Sequence, residues 1–225
     1  MILLRMRTNS PKNLRTGKDG KWETEGVLLD EKIIESPWCW ADLFGPSDQA
    51  RPVEIEVGVG KGTFLLARAK QRPDVDFLGI EYAKAYACYT ADRVGRAGLT
   101  NTKMLCADAD AVFRNAIPDA SVFRVHVYFP DPWPKRKHYR RRLLQPAFVR
   151  QVWRVLQPGG QLLIVTDHRD YFEHIRRTLS NVEGFSETNF PKLLDSDEHI
   201  VGTNFEKKYI EEGRAFYRKA LLKRI

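Results

Sequence analysis

The run Glu54-Ile55-Glu56-Val57-Gly58-Val59-Gly60-Lys61-Gly62-Thr63 commits this chain to one architecture. A short strand, Val53–Val57, enters glycines at every second position, and a helix, Thr63–Lys70, follows at once. Glycine reaches positive φ without steric penalty, so the backbone can turn tightly and approach a ligand closely. The free amides and positive dipole end of the helix then face that turn.

Beyond this unit the same alternation continues. Val75–Ile80 reads as a strand, Ala83–Val94 as a helix, Thr102–Cys106 as a strand and 110–115 as a short helix. Ser121–Phe129 is a long strand rich in β-formers, and Pro146–Leu156 a helix opened by proline and stopped by Pro158-Gly159-Gly160. Gln161–Val165 is a strand, Tyr171–Leu179 a helix and Gly213–Lys223 a closing strand. Such an order predicts an α/β fold, a parallel sheet with helices on both faces and ligands at the carboxyl ends of its strands. Upstream, residues 1–30 hold Arg5, Arg7, Lys12, Arg15 and Lys18 before the first acid, Asp19, and read as a mobile basic arm. Residues 31–42 read as a short helix broken at Ser36-Pro37. The expected organisation is an arm and short helix over 1–50 and one main domain over 51–225.

The 225 residues carry a net charge of +8 with 43% hydrophobic residues, a globule suited to an acidic partner, nucleic acid first. No apolar run approaches the ~20 residues of a membrane span. Cys39, Cys88 and Cys106 are odd in number and lack metal-ligand spacing, as do the five histidines, so no metal is expected and a reducing cytoplasm is the simplest setting.

A second stretch carries the chemistry. In Tyr128-Phe129-Pro130-Asp131-Pro132-Trp133-Pro134-Lys135, three prolines break the strand and stiffen a loop around one acid. Six Lys/Arg then occupy eight positions from Lys135 to Arg142, and no Asp or Glu occurs from Pro132 through Thr166. A rigid acid beside an aromatic and a cationic patch suits a base gripped next to a polyanion; a solvated basic loop is the plainer reading. Trp133 suits either stacking on a splayed base or plugging the loop.

The glycine loop excludes two phosphate-binding patterns. A P-loop would need Gly at 55 and Ser or Thr at 62, where Ile55 and Gly62 stand, and a dinucleotide turn would need Gly at 63, where Thr63 stands. With Glu56 just before Gly58, the loop resembles motif I of the S-adenosylmethionine-dependent methyltransferases. A carboxylate there suits a cationic sulfonium and ammonium ligand and repels a phosphate. Glu81 ends the second strand, where an acid can accept ribose hydroxyls. Asp108 ends the third, and reads equally as a helix N-cap.

Taken with Phe-Pro-Asp-Pro-Trp-Pro-Lys at 129–135, the pattern resembles the bacterial tRNA (guanine-N7)-methyltransferases over roughly residues 51–212. Thr166-Asp167-His168 and Thr203-Asn204-Phe205-Glu206 are similar to that family as well; Asn204 stands where a basic residue is usual, and Tyr139 interrupts the basic tail. The resemblance implies a seven-stranded Rossmann-like class I methyltransferase with an antiparallel final strand. It implies that Glu56, Gly58, Gly60, Gly62, Glu81, Asp108 and Asp131 hold S-adenosyl-L-methionine, and that Asp131 is catalytic. Lys135, Asp167, Thr203, Asn204, Phe205 and Glu206 would contact the substrate guanine and its surroundings. Lys137, His138, Tyr139, Arg140, Arg141 and Arg142 would bind RNA. The implied partner is tRNA, methylated in its variable loop by a cytoplasmic monomer or homodimer with no obligatory protein partner. Two alternatives stand beside this reading: amino-group methylation of RNA, for which Asp131-Pro132-Trp133 lacks the expected Pro-Tyr, and a non-catalytic RNA-binding subunit.

Overall fold

A computed structural model describes residues 22–46, 51–195 and 200–224. In chain order the elements are β1 (Leu28–Leu29), α1 (Trp40–Phe44), β2 (Val53–Val57), α2 (Thr63–Gln71), β3 (Asp76–Glu81), α3 (Lys84–Arg96), β4 (Thr102–Cys106), α4 (Ala109–Asn115) and β5 (Val122–Tyr128). They continue with α5 (Pro146–Val155), β6 (Leu156–Thr166), α6 (Arg169–Ser180), β7 (Phe185–Thr188), α7 (Asn204–Glu211) and β8 (Tyr217–Lys223). Short 3-10 turns occupy Glu31–Glu35 and Arg136–Arg141.

One eight-stranded sheet runs in the order β1-β4-β3-β2-β5-β6-β8-β7. All pairs are parallel except those of β8, which lies antiparallel between β6 and β7. The chain leaves β2 toward β3 and β4, then returns to lay β5 on the other side of β2. Val57 therefore sits in register with Val127, and the loops after the two strands emerge side by side. Such a reversal of strand order opens a crevice at the carboxyl ends of the strands.

Alternation along β2 divides the core. Val53, Ile55 and Val57 face a cluster with Val112, Phe113, Phe148, Val152, Tyr171 and Ile175, from α4, α5 and α6. Leu65, Leu66 and Ala69 of α2 and Ala91 and Val94 of α3 belong to another cluster, so helices cover both faces as expected. Glu54 and Glu56, the alternate residues of β2, are buried too, at 0% and 3% exposure.

Five details differ from the sequence expectation. Leu28–Leu29, read as part of a mobile arm, pairs with Met104 and Leu105 and adds an eighth strand; residues 1–21 of that arm lie outside the described residues. β6 begins at Leu156, and β8 only at Tyr217. β7 was not foreseen: it is four residues long, with Phe185 alone buried. Nor was α7, whose one buried residue is the charged Glu206, leaving no apolar periodicity to read.

Candidate active site

The glycine turn is held open by conformation and packing. Gly58, Gly60 and Gly62 have φ of 78°, 55° and 70°. At Gly58 and Gly60 an added Cβ would meet nothing within 4 Å, so the backbone faces open space there. At Gly62 it would lie 2.4 Å from Thr90 Cγ2, so α3 packs directly on the turn, and Thr90 Oγ1 donates to the Gly60 carbonyl at 2.8 Å.

Two carboxylates converge on this turn. Glu81, at the end of β3, accepts the Gly60 amide at 2.8 Å and the Ala83 amide at 2.9 Å. Burial raises its pKa, the amides oppose that rise, and the charge of Asp131 adds to it. Glu56 is more extreme: Oε2 is buried with no hydrogen-bond partner. Burial first, and repulsion from Glu81 second, push its pKa well up. The Leu65 amide offsets that burial only in part; a buried carboxylate with one unpartnered oxygen, beside an open glycine turn, suits a cationic ligand and disfavours a phosphate. Asp108 is the N-cap of α4, accepting the Asp110 amide at 2.9 Å, and is exposed at its strand end. Tyr82, 55% exposed next to Glu81, adds a free aromatic face that the sequence reading passed over; a tyrosine directly after a strand-end acid was its signal.

The proline loop leaves β5 beside this turn. Phe129 and Trp133 adopt φ of 49° and 41°, a region that bulky residues rarely occupy. Strain of this kind costs about 1–3 kcal/mol per residue and persists only where its surroundings hold it. Asp131 lies between the two strained residues. It is exposed at the surface, yet the surrounding protein withdraws enough water from its carboxylate to raise its pKa. Its charge also raises the pKa values of Glu81, Tyr171 and Tyr209.

α7 closes the other side. Phe129 contacts Phe205, Tyr209 and Phe216 with ring centroids 6.4, 5.7 and 5.6 Å away. Thr203 caps the helix by accepting the Glu206 amide at 3.0 Å. Glu206, 1% exposed, accepts the amides of Ile200, Val201 and Gly202. These two side chains thus shape the 200–203 turn, while Asn204 and Phe205 are exposed. Asp167 accepts a hydrogen bond from Arg214 at 2.7 Å, and the Arg214 guanidinium lies 4.2 Å from the Tyr209 ring centre.

The basic tail divides. Lys135, Lys137 and Arg140 are exposed, without a side-chain partner among the described residues. His138 meets the Trp133 ring edge-on at 5.7 Å, and the Arg141 guanidinium lies 5.0 Å from the centre of the same ring, so Trp133 packs within its own loop. Arg142, expected among the RNA contacts, is 2% exposed. Its guanidinium is held between the rings of Tyr139 (3.7 Å) and Tyr171 (4.8 Å), and Nε donates to the Pro132 carbonyl at 2.8 Å. In a run of six cations nothing local singles out the one that folds inward.

Sequence reading also missed the support beneath the site. Glu54 accepts from Arg68 at 3.2 Å, Arg124 at 3.1 Å and His126 Nε2 at 2.9 Å. Burial would raise the Glu54 pKa, but His126 and the two arginines outweigh it and hold it at about 2. Burial keeps the His126 pKa below its ordinary value; a neutral ring donating to Glu54 and accepting from Tyr128 Oη at 2.6 Å satisfies both nitrogens. Arg68 also donates to the Leu193 carbonyl at 2.7 Å, tying α2 to that residue.

Comparison with known proteins follows the same outline. A family model described as "Putative methyltransferase" matches residues 50–219. A tRNA (guanine-N(7)-)-methyltransferase of Alcanivorax borkumensis is 37% identical over 180 residues, covering 80% of this chain and 72% of that one. One of Streptococcus pneumoniae is 34% identical over 187 residues, covering 83% and 87%. Among solved structures, a SAM dependent methyltransferase from Aquifex aeolicus superposes with a TM-score of 0.53 at 14% identity, over 77% of this chain and 84% of that one, a likeness of fold.

Proposed function

This chain belongs to the tRNA (guanine-N7)-methyltransferase family, and on that premise we propose that its glycine turn, strand-end acids and Asp131 form one site, which methylates N7 of a guanine in the tRNA variable loop. The cofactor is S-adenosylmethionine. The residues present fit it: the unpartnered buried oxygen of Glu56 calls for positive charge, and the open face over Gly58 and Gly60 leaves room for a ligand. Glu56, Glu81 and Asp108 would hold it, with Gly58, Gly60 and Gly62 letting the backbone come close. When bound, it supplies a sulfonium-activated methyl group, which the guanine N7 lone pair takes as the sulfur keeps the bonding electrons.

Guanine N7 carries no proton at neutral pH, so the chain need not supply a base. Its task is alignment, which can account for about 7–11 kcal/mol of a barrier. The methylated base gains positive charge, and the fixed carboxylate of Asp131 stabilises that charge as it develops. Asp131 or Asp167 accepts from the guanine N1–H and amino edge, which adenine would leave unpaired. Lys135, Asn204 and Phe205 border the base, while Lys137, Arg140 and Arg141 grip the RNA backbone. The enzyme acts in the cytoplasm without an obligatory protein partner, as a monomer or homodimer.

The observation that carries this reading is the pairing of β2 with β5, which brings the proline loop of Asp131 out beside the glycine turn that Glu81 holds. The test incubates the protein with labelled S-adenosylmethionine and unmodified tRNA transcripts, then cleaves at 7-methylguanosine with borohydride and aniline. One cut in the variable loop is expected. Label without a cut would move the chemistry to an amino group, and bound RNA without label would leave a binding module.

A further inference from the structure

We propose that Arg142 is a positioning residue that holds the Asp131 loop in its working shape, and that it does so through Pro132 and not by touching RNA. This rests on the methyltransferase reading above and deepens it.

The loop needs an external hold. Phe129 and Trp133 both sit at positive φ, and three prolines between 129 and 135 remove the amides that could tie the segment to the sheet. Phe129 itself is fixed, its amide donating to the Val165 carbonyl at 2.7 Å and its ring packed by α7. Past Asp131, Arg142 Nε donates to the Pro132 carbonyl at 2.8 Å, next to the acid, and Gln145 Nε2 donates to the Tyr139 carbonyl at 2.8 Å, seven residues further on.

Arg142 is itself fixed from two sides. Tyr139 covers one side of the guanidinium; Tyr171, fully buried on α6, lies on another and accepts the Leu144 amide at 3.2 Å. The Arg142 amide donates to the Tyr139 carbonyl at 3.1 Å, so the residue that covers the guanidinium is in turn held by its backbone. A planar group can stack on the tyrosines and donate in its own plane at once; a lysine ammonium can bond the carbonyl but cannot fill the slot. The route runs from the core through Tyr171 and Arg142 to Pro132, whose neighbour is the catalytic acid.

The test compares Arg142→Lys, Tyr139→Leu and, as a phosphate-contact reference, Arg140→Ala in the full chain with tRNA. For Arg142→Lys we expect kcat to fall about a hundredfold, the loss that a small misplacement of reacting groups produces. KM for tRNA should stay within about twofold, since no ground-state contact is lost. The salt dependence of tRNA binding should keep its wild-type slope, whereas Arg140→Ala lowers it by about 0.7–0.9. Amide exchange over 129–141 should quicken in both Arg142→Lys and Tyr139→Leu. Unchanged exchange in both, or wild-type kcat with a reduced salt slope in Arg142→Lys, overturns the proposal. Should Arg142→Lys not fold, Tyr139→Leu carries the same readouts. A wild-type protein that leaves no methyl on N7 would sink the underlying reading and leave the exchange result to judge the clamp.

Discussion

The Glu81 carboxylate and the Gly60 amide are joined by a hydrogen bond of 2.8 Å across the ends of β3 and β2. The other oxygen of Glu81 accepts the Ala83 amide, so one side chain sets both the glycine turn and the start of α3. Glu81→Ala should therefore weaken S-adenosylmethionine binding about 10–100-fold, the worth of a hydrogen bond made by a charged group. Calorimetric titration measures it. Unchanged affinity with a lowered melting temperature would assign Glu81 to the turn alone.

Glu56 should behave in the opposite sense on stability. Its pKa in the folded chain is raised, so its share of stability is full at acid pH and is lost as pH rises through the folded value. Glu56→Gln should stabilise the ligand-free protein by about 1 kcal/mol at pH 8 and less at pH 5. It should also sharply weaken cofactor binding. Melting curves at the two pH values give the sign, and equal melting temperatures for both proteins would refute it.

Glu54 makes the reverse case. Its pKa is lowered from 4.5 to about 2, so the stability it brings is complete above pH 4.5 and disappears as pH falls toward 2. Glu54→Gln leaves Arg68 and Arg124 buried without a counter-charge, at a cost of about 3–5 kcal/mol near neutral pH. Urea unfolding of the two proteins at pH 7 and pH 3 should show that difference shrinking with acid.

Asp131 should govern rate without acting as a base. Log kcat should be flat from about pH 6 to 9 and fall on the acid side, with a midpoint above that of an ordinary aspartate, because the protonated form cannot stabilise positive charge. Asp131→Asn should lower kcat about 10²–10³-fold and remove the acid limb. A slope of one persisting through neutral pH, and lost in Asp131→Asn, would make Asp131 a proton acceptor instead.

Parts of the fold were plainly legible. Val53–Val57 and Thr102–Cys106 were placed to the residue, the first because Val, Ile and Val alternate with Glu and run straight into the glycine turn. α5 was legible through Pro146 at its first turn and the glycines beyond it. α7 was not, because it is anchored by aromatic contacts to Phe129 and by the buried carboxylate of Glu206, and neither leaves a periodic trace. The acids of the site were legible one by one, since strand-end carboxylates beside a glycine turn form a local pattern. The sorting of the basic tail was not, since Arg140 and Arg142 are the same residue type two positions apart.

Everything set by neighbours along the chain was therefore present in the order of residues: the strand, glycine turn and helix unit, the stiff proline loop, the positive charge and the family likeness. What awaited folding was set by partners far apart in sequence. Laying β5 beside β2 brings Asp131 into the field of Glu81, burial and the charge of Glu81 raise the pKa of Glu56, and Tyr171 turns one arginine of a basic run into a buried clamp. Charge and conformational preference are properties of a residue and its immediate neighbours, whereas water exclusion and ring stacking exist only once distant segments are packed together.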